Sequence, residues 1–563
     1  MDTALFVLAT VSWLIFLTAF GLCIGSFLNV IAYRLPLGQS IWAPRWSACP
    51  ECGHVIRWHD NIPVLGFLVL RGRCRDCGCR ISPRYPIIEL LTALVMLLIF
   101  GAFFIAQSRR GIAPQTSLIT WQIGHDWPIF LAHVILFAAL LAMSAIDLEH
   151  YWVDVRFTHL ATLAGFVMHM LWTPTSSAGW HRPWDSTAAA CVAALAGLCA
   201  TFVVVHIMFA LSPEEEAELA PANDASDQAD AALAKVPSSE CRDPLVDEAS
   251  DEAGPARKEV QSAESRAQPD DEASNEVGPA RREVQSSKFN DQPVNETPDA
   301  TGVEPAPVSP KARRRGLMAV AMLSLLLIVT LAAILAGSFE LIGGFAFASV
   351  GLAALAGMFL LILGAAVDER PSDHEIVQAI EAERFSARSV AAEELLLLIP
   401  AILCGALAFA AWRSGWLSPM AAGRLIHWAP GGDWQPVWGF ATAASGFVIG
   451  GAIGWAVRIF FTLLLGKEAF GVGDIHMMAA AGCVAGWPVV LLGFFAAVFL
   501  ALAAWLLSLP FKRTRAIPLG PWLSLGFLLV VLFYDQIIAI PIVSNVVSTV
   551  QYFLNIGDDA PLI

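Results

Sequence analysis

Residues 466–478 read G-K-E-A-F-G-V-G-D-I-H-M-M and lie between two long apolar runs. The aspartate in this stretch, Asp474, follows Gly471 and Gly473 and is succeeded at once by more apolar sequence. A carboxylate is costly beside hydrocarbon, so an ionisable residue in this position predicts a functional group. Glycine has no β carbon, and these two glycines therefore allow a neighbouring helix or an extended substrate to approach closely.

The chain around this stretch has the composition of a membrane protein. Its 563 residues are 56% hydrophobic and only 15% charged, which is less charge than a soluble globular protein carries. Apolar runs of about 20 residues recur, the length that crosses roughly 30 Å of hydrocarbon. We expect an all-α polytopic integral membrane protein with about 12 spans. The run at 4–31 is expected to be the first span and not a removed signal peptide, because it has no basic start and no small-residue cleavage site.

Shifts in composition predict the domain boundaries. The predicted segments are 1–33 (first span), 34–86 (a polar cysteine segment), 87–174 (first part of the membrane core), 175–211 (an extra span), 212–315 (an acidic linker), 316–434 (inserted spans and a charged loop), 435–535 (second part of the core) and 536–563 (an apolar tail). The linker contains almost no aromatic residues, and we expect it to be disordered because it cannot bury enough apolar surface. Within the charged loop, 368–385 predicts a surface or interfacial helix, and a partner-binding helix is the alternative.

The segment 34–86 is short and basic, with arginines far outnumbering acids. Short basic loops stay on the cytoplasmic side of a membrane. Following the predicted spans from this segment places Asp147, at the end of the third span, and Asp474 on the same cytoplasmic face. The approximately four extra spans between them are even in number, so the insertion does not separate the two aspartates.

Two cysteine pairs in the same segment predict a metal site. Cys49-Pro-Glu-Cys52 and Cys74-Arg-Asp-Cys77 form two C-x₂-C motifs separated by 21 residues. Each motif aims two thiolates at one point, and four thiolates suit tetrahedral Zn²⁺ with no open position, which predicts a structural role. Gly53 and Gly78 follow the pairs, where the turn needs a positive φ. Disulfides, free thiols and a redox-active pair are the alternatives.

Asp147 and Asp474 together suggest a specific chemistry. Two carboxyls held close share one proton, so the ionised member can activate water while the protonated member polarises a carbonyl. This is the chemistry of aspartic proteases. Two other interpretations stay open: each aspartate caps a helix or pairs with a nearby base such as Lys467 or His476, or the pair relays protons in a transporter.

A set of motifs occurs in order along the chain: G-S-F-L-N-V-I-A-Y-R-L-P (25–36), the cysteine pairs, R-Y-P-I-I-E-L (84–90), A-I-D (145–147), G-K-E-A-F-G-V-G-D (466–474) and I-P-L-G-P (517–521). Over roughly 20–175 and 435–535 the chain resembles the type IV prepilin peptidases, also called prepilin leader peptidase/N-methyltransferases, which are G-x-G-D intramembrane aspartyl proteases. The resemblance implies that Asp147 and Asp474 are catalytic and that Cys49, Cys52, Cys74 and Cys77 bind zinc.

The resemblance also implies a substrate and a place in the cell. Members of the family cleave the leader of type IV prepilins or type II secretion pseudopilins after a glycine, at the cytoplasmic face of the bacterial inner membrane. Many then methylate the new N-terminus with S-adenosylmethionine. The expected partners are therefore the N-terminal helices of prepilins and membrane lipid, and we expect no nucleic-acid partner.

Three further residues complete the predicted site. Glu89 stands at the glutamate of the family's Y-P-x-x-E-L motif, where we expect a structural or substrate-side role. Asp154 follows a valine where the family has proline, and His476 stands where lysine is common. These departures keep open a non-catalytic pilus or secretion assembly factor, beside a proton- or cation-coupled transporter.

Overall fold

The computed structural model describes residues 3–41, 46–108, 112, 119–150, 154–175, 185–210, 324–325, 327–328, 352–353, 355–360, 387–414, 435–468, 470–508 and 518–554. The chain divides into two units, Met1–Phe209 with Val308–Ile563, and Ala210–Pro307. Apart from Ala210, every residue discussed below belongs to the first unit. The predicted acidic linker and the helix predicted at 368–385 lie outside the described residues.

The described residues are helical and contain no β-strand, as the apolar runs predict. The helices are α1 (Thr3–Arg34), α2 (Leu65–Val69), α3 (Arg84–Phe100, continued by a π-helical turn at Gly101–Ile105), α4 (Ile119–His150), α5 (Val155–Leu171), α6 (Asp185–Ala210), α7 (Ala387–Arg413), α8 (Gln435–Leu465), α9 (Val472–Ala485), α10 (Trp487–Ser508), α11 (Gly520–Leu532), α12 (Tyr534–Ile538) and α13 (Pro541–Leu554).

Seven of these helices are long and apolar enough to cross a membrane, and the chain is a multi-pass membrane protein. They are α1, α3 with its π-helical turn, α4, α6, α7, α8 and α10, while α9 and α11 are shorter apolar helices. The span count of about 12 stays a prediction. Two of the predicted spans, the apolar runs at 317–337 and 340–366 in the inserted segment, lie almost wholly outside the described residues.

Two helix boundaries differ from the sequence prediction. The apolar run at 128–146 predicts a span that begins near 128, yet α4 begins at Ile119. The polar residues that lower the hydropathy before 128 are buried and bonded. Asp126 accepts a hydrogen bond from Trp172 Nε1 at 2.8 Å and lies 2.8 Å from His125 Nδ1. α7 begins at Ala387, so the last residues of the charged loop expected at 367–393 are helical. In both cases tertiary contacts extend the helix beyond its apolar run.

The helices differ strongly in how much of their surface is covered. Of the apolar window of α3, 83% is buried, against 67% for α4 and only 11% for α7. α1 packs on α3, α4 on α5, and α8 on α9. The central helices therefore form the core, while α7 is covered least of the three.

Glycines bring α8 and α9 into close contact. A β carbon on Gly446 would lie 2.0 Å from the carbonyl oxygen of Gly482, and one on Gly482 would lie 2.1 Å from the carbonyl oxygen of Gly446. No larger residue fits at either position without moving a backbone. Such small-residue contacts hold membrane helices together, because lipid provides little hydrophobic driving force between them. They set the position of α9, which carries Asp474.

A small apolar cluster places the cysteine segment and Asp147 at the same end of the helix bundle. Leu28 and Ile31 near the end of α1 pack with Ala142 near the end of α4, and Ile88 and Phe157 join them from the starts of α3 and α5. The cysteine segment leaves the end of α1 and returns at the start of α3. It therefore emerges at the end of the bundle where α4 carries Asp147.

Candidate functional site

Asp147 lies in the last turn of α4 and is only 7% exposed. Its Oδ2 accepts a hydrogen bond of 3.2 Å from the backbone N–H of Gly520, the first residue of α11. One turn earlier, Ser144 Oγ lies 2.9 Å from Ser524 Oγ. These two contacts attach α11 to α4 and restrict the orientation of the Asp147 carboxyl.

Asp474 lies in the first turn of α9, where the positive end of the helix dipole favours a negative group. α9 packs against α4 and α11, the helix that carries Asp147 and the helix whose Gly520 bonds its carboxyl. Met477 follows one turn later on the same face of α9, and its sulfur would lie 3.7 Å from a β carbon on Gly520. The face of α9 that bears Asp474 is thus directed at Asp147 and Gly520.

The three elements that meet here have distinct parts. α4 supplies one carboxyl, α9 supplies the other, and α11 supplies a backbone donor that holds the first. Two neighbouring carboxyls share a proton and titrate as a pair, so the arrangement contains both a general base and a general acid without a metal. Among the described residues, neither carboxyl forms an ion pair with Lys467 or His476.

The sequence predicts a close approach to the backbone at Gly471 and Gly473, but the closest approach to an aspartate carboxyl is at Gly520. A β carbon on Gly520 would lie 2.7 Å from Asp147 Oδ2, whereas one on Gly471 would lie 3.3 Å from Asp474 Oδ2. Gly471 is the N-cap residue of α9 with extended backbone, and Gly473 lies in the first helical turn. Gly520 belongs to the I-P-L-G-P motif, but the sequence gives it no role, since its contact with Asp147 spans 373 residues.

His476 does not share the face of Asp474. Residues two apart on a helix point in different directions, and the His476 ring packs against His159 of α5 with the centroids 6.0 Å apart. Asp154 is the N-cap residue of α5 and accepts hydrogen bonds from the backbone N–H and guanidinium of Arg156. Burial opposes ionisation there, yet these bonds hold the pKa of the Asp154 carboxyl below its ordinary value.

Glu89 connects the membrane core to the cysteine segment. The side chain is buried in α3, and Oε2 accepts a 2.7 Å hydrogen bond from the backbone N–H of Val64. Val64 has a φ of 60°, which is unusual for a β-branched residue, and directly precedes α2. Glu89 therefore bonds to the backbone of a turn with positive φ, and its structural or substrate-side role stays a prediction.

A buried arginine near the end of α8 joins three segments. Arg458 is 5% exposed and donates from Nε to Glu394 Oε2 of α7 at 2.9 Å. Its Nη1 donates to the carboxylate of Glu468 and to the carbonyl oxygen of Phe470, both in the loop before α9. Sequence reasoning missed this network, although Arg458 is the one charged residue within the apolar run at 436–465.

The four predicted zinc ligands come together. The sulfur atoms of Cys49, Cys52, Cys74 and Cys77 all lie within 4.8 Å of one another. Cys49 Sγ and Cys77 Sγ are 3.9 Å apart, close to the roughly 3.8 Å that a tetrahedral site with 2.3 Å metal–sulfur bonds requires. The four are free cysteines with no disulfide, so the donor set fits a metal ion.

The backbone around the cysteines prepares them for a metal. Gly53 and Gly78 have φ of 70° and 72°, which confirms the predicted turns, and their N–H groups donate to the carbonyls of Cys49 and Cys74. Backbone N–H groups of Cys77 and Asp76 lower the pKa of Cys74 to about 7, which favours the thiolate, the form that binds a metal, whereas burial raises the pKa of Cys49.

Comparison with known proteins finds one matching family model and several relatives. The family model for the bacterial peptidase A24 N-terminal domain matches residues 19–103. The chain is 42% identical to the prepilin leader peptidase/N-methyltransferase of Myxococcus xanthus over 155 residues, which are 27% of this chain and 39% of that protein. It is 40% identical to a type 4 prepilin-like proteins leader peptide-processing enzyme of Escherichia coli over 168 residues, 27% of this chain and 54% of that protein. No solved structure matches.

A third relative is covered more fully. The chain is 35% identical to the prepilin leader peptidase/N-methyltransferase of Klebsiella pneumoniae over 209 residues, 36% of this chain and 78% of that protein. The first two relatives are covered over less than two thirds of their length. Because the Klebsiella protein is matched over more than two thirds of its own, the chain belongs to the prepilin leader peptidase/N-methyltransferase family.

Proposed function

We propose that this protein is a membrane-embedded aspartic endopeptidase that removes the leader of type IV prepilins or type II secretion pseudopilins. The observation that carries the proposal is the approach of two carboxyls, Asp147 from α4 and Asp474 from α9, at one end of the helix bundle. The names of the relatives agree with it. The basic cysteine segment emerges at the same end, which favours the cytoplasmic side of the bacterial inner membrane.

The proposed reaction needs the two carboxyls in different protonation states. The ionised carboxyl takes a proton from water as the water oxygen attacks the peptide carbonyl carbon, and the protonated carboxyl donates to the carbonyl oxygen. When the tetrahedral intermediate collapses, the C–N bond breaks and the leaving amine takes the proton that the first carboxyl had accepted from water. The hydroxyl formed from the carbonyl oxygen returns its proton to the second carboxyl, which restores the pair. The Gly520 N–H holds the Asp147 carboxyl in place throughout, which avoids reorganisation during the reaction.

The cysteine cluster is proposed to hold structural Zn²⁺ through Cys49, Cys52, Cys74 and Cys77. Four protein ligands leave no position for water or substrate. Zinc bound there stabilises the fold of the segment that Glu89 attaches to α3. The names of the relatives also suggest N-methylation with S-adenosylmethionine. Since no glycine-rich nucleotide loop follows a strand in the described ranges, we assign no residue to that cofactor.

Co-expression with a candidate prepilin tests the proposed function. We expect the prepilin to shorten by its leader, and the mass of the new N-terminal peptide to show cleavage after a glycine. The same spectrum reports whether a methyl group has been added. An unprocessed prepilin beside correctly inserted enzyme would contradict the peptidase and would favour a non-catalytic assembly factor.

Metal analysis tests the cysteine cluster. We expect the purified protein to contain about one zinc per chain, and Cys52→Ser with Cys77→Ser to reduce this to near zero, because a structural site needs all four ligands. Cys404→Ser is the matched control, since that cysteine is exposed on α7. Wild-type protein without zinc, or a double variant with undiminished zinc, would contradict the assignment.

A further inference from the structure

The Arg458 network reaches from a peripheral helix to the loop that precedes Asp474. A guanidinium buried at the membrane end of α8 is costly unless it is paired. Arg458 donates to two carboxylates and a backbone carbonyl, so its guanidinium charge is paired. Glu394 approaches it with both oxygens, at 2.8 Å from Nη2 and 2.9 Å from Nε. This bidentate geometry gives the pair a defined orientation.

The loop that Arg458 holds leads directly into the proposed active site. Glu468 and Phe470 are two of the residues between α8 and α9, and Asp474 follows Phe470 by four positions. The Phe470 carbonyl accepts from the same Nη1 as Glu468. Displacement of Arg458 would therefore release both the side-chain and the backbone attachment of this loop.

α7 contacts the same loop a second time. Gly466 directly follows α8 and has a φ of 67°. The Arg388 guanidinium of α7 lies against this glycine, since a β carbon there would be 3.2 Å from Arg388 Nη2. α7 thus reaches the loop directly through Arg388 and indirectly through Glu394, which bonds to Arg458. It does so even though only 11% of the apolar window of that helix is buried.

α7 is part of the inserted segment at 316–434, which the family motifs of this sequence do not reach. We propose that Glu394 of α7 is a positioning residue for the peptidase reaction. It orients Arg458, which holds the 466–471 loop and thereby the first turn of α9 with Asp474. This inference rests on the proposed function, and it assigns the insertion a role in the active site.

Glu394→Gln tests the proposal, with Glu393→Gln as the matched control. Both residues lie in one turn of α7, and Glu393 is exposed. We expect Glu394→Gln to lower kcat for prepilin cleavage by about 10- to 100-fold, with KM within about two-fold, because the loss affects orientation and not substrate binding. Glu393→Gln should turn over like the wild type. Glu394→Asp, which keeps the charge, should recover part of kcat.

A second measurement keeps the test independent of activity. Hydrogen–deuterium exchange of the peptide covering 466–474 should be faster in Glu394→Gln and in Glu468→Gln than in Glu393→Gln. Glu468→Gln leaves Arg458 paired with Glu394, so this variant still tests the attachment of the loop if Glu394→Gln fails to fold. Normal kcat per folded molecule together with unchanged exchange would overturn the inference. Wild-type protein that cleaves no prepilin would instead reject the proposed function, while the exchange data still decide whether α7 holds the loop.

Discussion

Asp147→Asn and Asp474→Asn should each abolish leader cleavage and leave the folded protein in the membrane. Asparagine has nearly the shape of aspartate but cannot take up or release the proton, so neither variant retains both a general base and a general acid. The loss should reach about 10⁴-fold or more, as for other catalytic groups that act as a unit. Rates of prepilin processing, measured with purified enzyme in detergent, provide the comparison.

The two aspartate variants should also be non-additive. Because either substitution destroys the shared function, the double variant should be about as inactive as each single one. Glu393→Gln, at an exposed position of α7, is the control for loss of one carboxylate charge. Processing of prepilin at a normal rate by either single variant would reject the proposed pair. If the double variant instead lost activity by the product of the two single losses, the two aspartates would have separate roles.

Gly520→Ala should be the most damaging single methyl addition near the site. The new β carbon would lie 2.7 Å from Asp147 Oδ2, closer than van der Waals contact permits, so the carboxyl or the start of α11 must move. A displacement of this size should lower kcat by about 100-fold. Alanine stabilises a helix by about 1 kcal/mol relative to glycine, so helix propensity would act in the opposite direction.

Gly124→Ala is the matched control for this substitution. Gly124 lies on α4, the helix that carries Asp147, and a β carbon there would meet no heavy atom within 4 Å. We expect its cleavage rate to equal that of the wild type. If Gly520→Ala cleaved prepilin as fast as Gly124→Ala, the close approach of α11 to Asp147 would have no part in catalysis.

The proposed attachment of the 466–471 loop to α7 gives the inserted segment a testable role. A helix of this kind can influence catalysis through the partly buried carboxylate of Glu394, without any contact with substrate. Loss of that carboxylate leaves Arg458 with Glu468 as its remaining carboxylate partner. Shortening the inserted segment through α7 should therefore affect the loop more than its lipid-exposed surface suggests.

Features determined by neighbouring residues could be predicted from the sequence. The two C-x₂-C motifs with Gly53 and Gly78 form the expected turns, because a short loop is governed by its local backbone conformation. The all-helical fold follows from runs of apolar residues that satisfy their own hydrogen bonds. The motifs around Asp147 and Asp474 also point to the family that the comparisons establish.

Features that depend on distant residues could not be predicted in this way. The early start of α4 depends on Trp172, which is 46 residues from Asp126. The hydrogen bond between Glu89 and Val64 joins residues that are 25 positions apart. His476, read as a neighbour of the active pair, is directed at α5 instead.

The sequence by itself determined the helical membrane fold, the four cysteines of the metal cluster and the two aspartates of the proposed site. Only the tertiary structure decided their surroundings: Gly520, 373 residues from Asp147, donates to that carboxyl, and Glu394, 64 residues from Arg458, pairs with the arginine that bonds the loop before Asp474. The physical reason is that turns and helices arise from local backbone preferences and hydropathy, whereas helix packing brings together groups with no fixed separation along the chain.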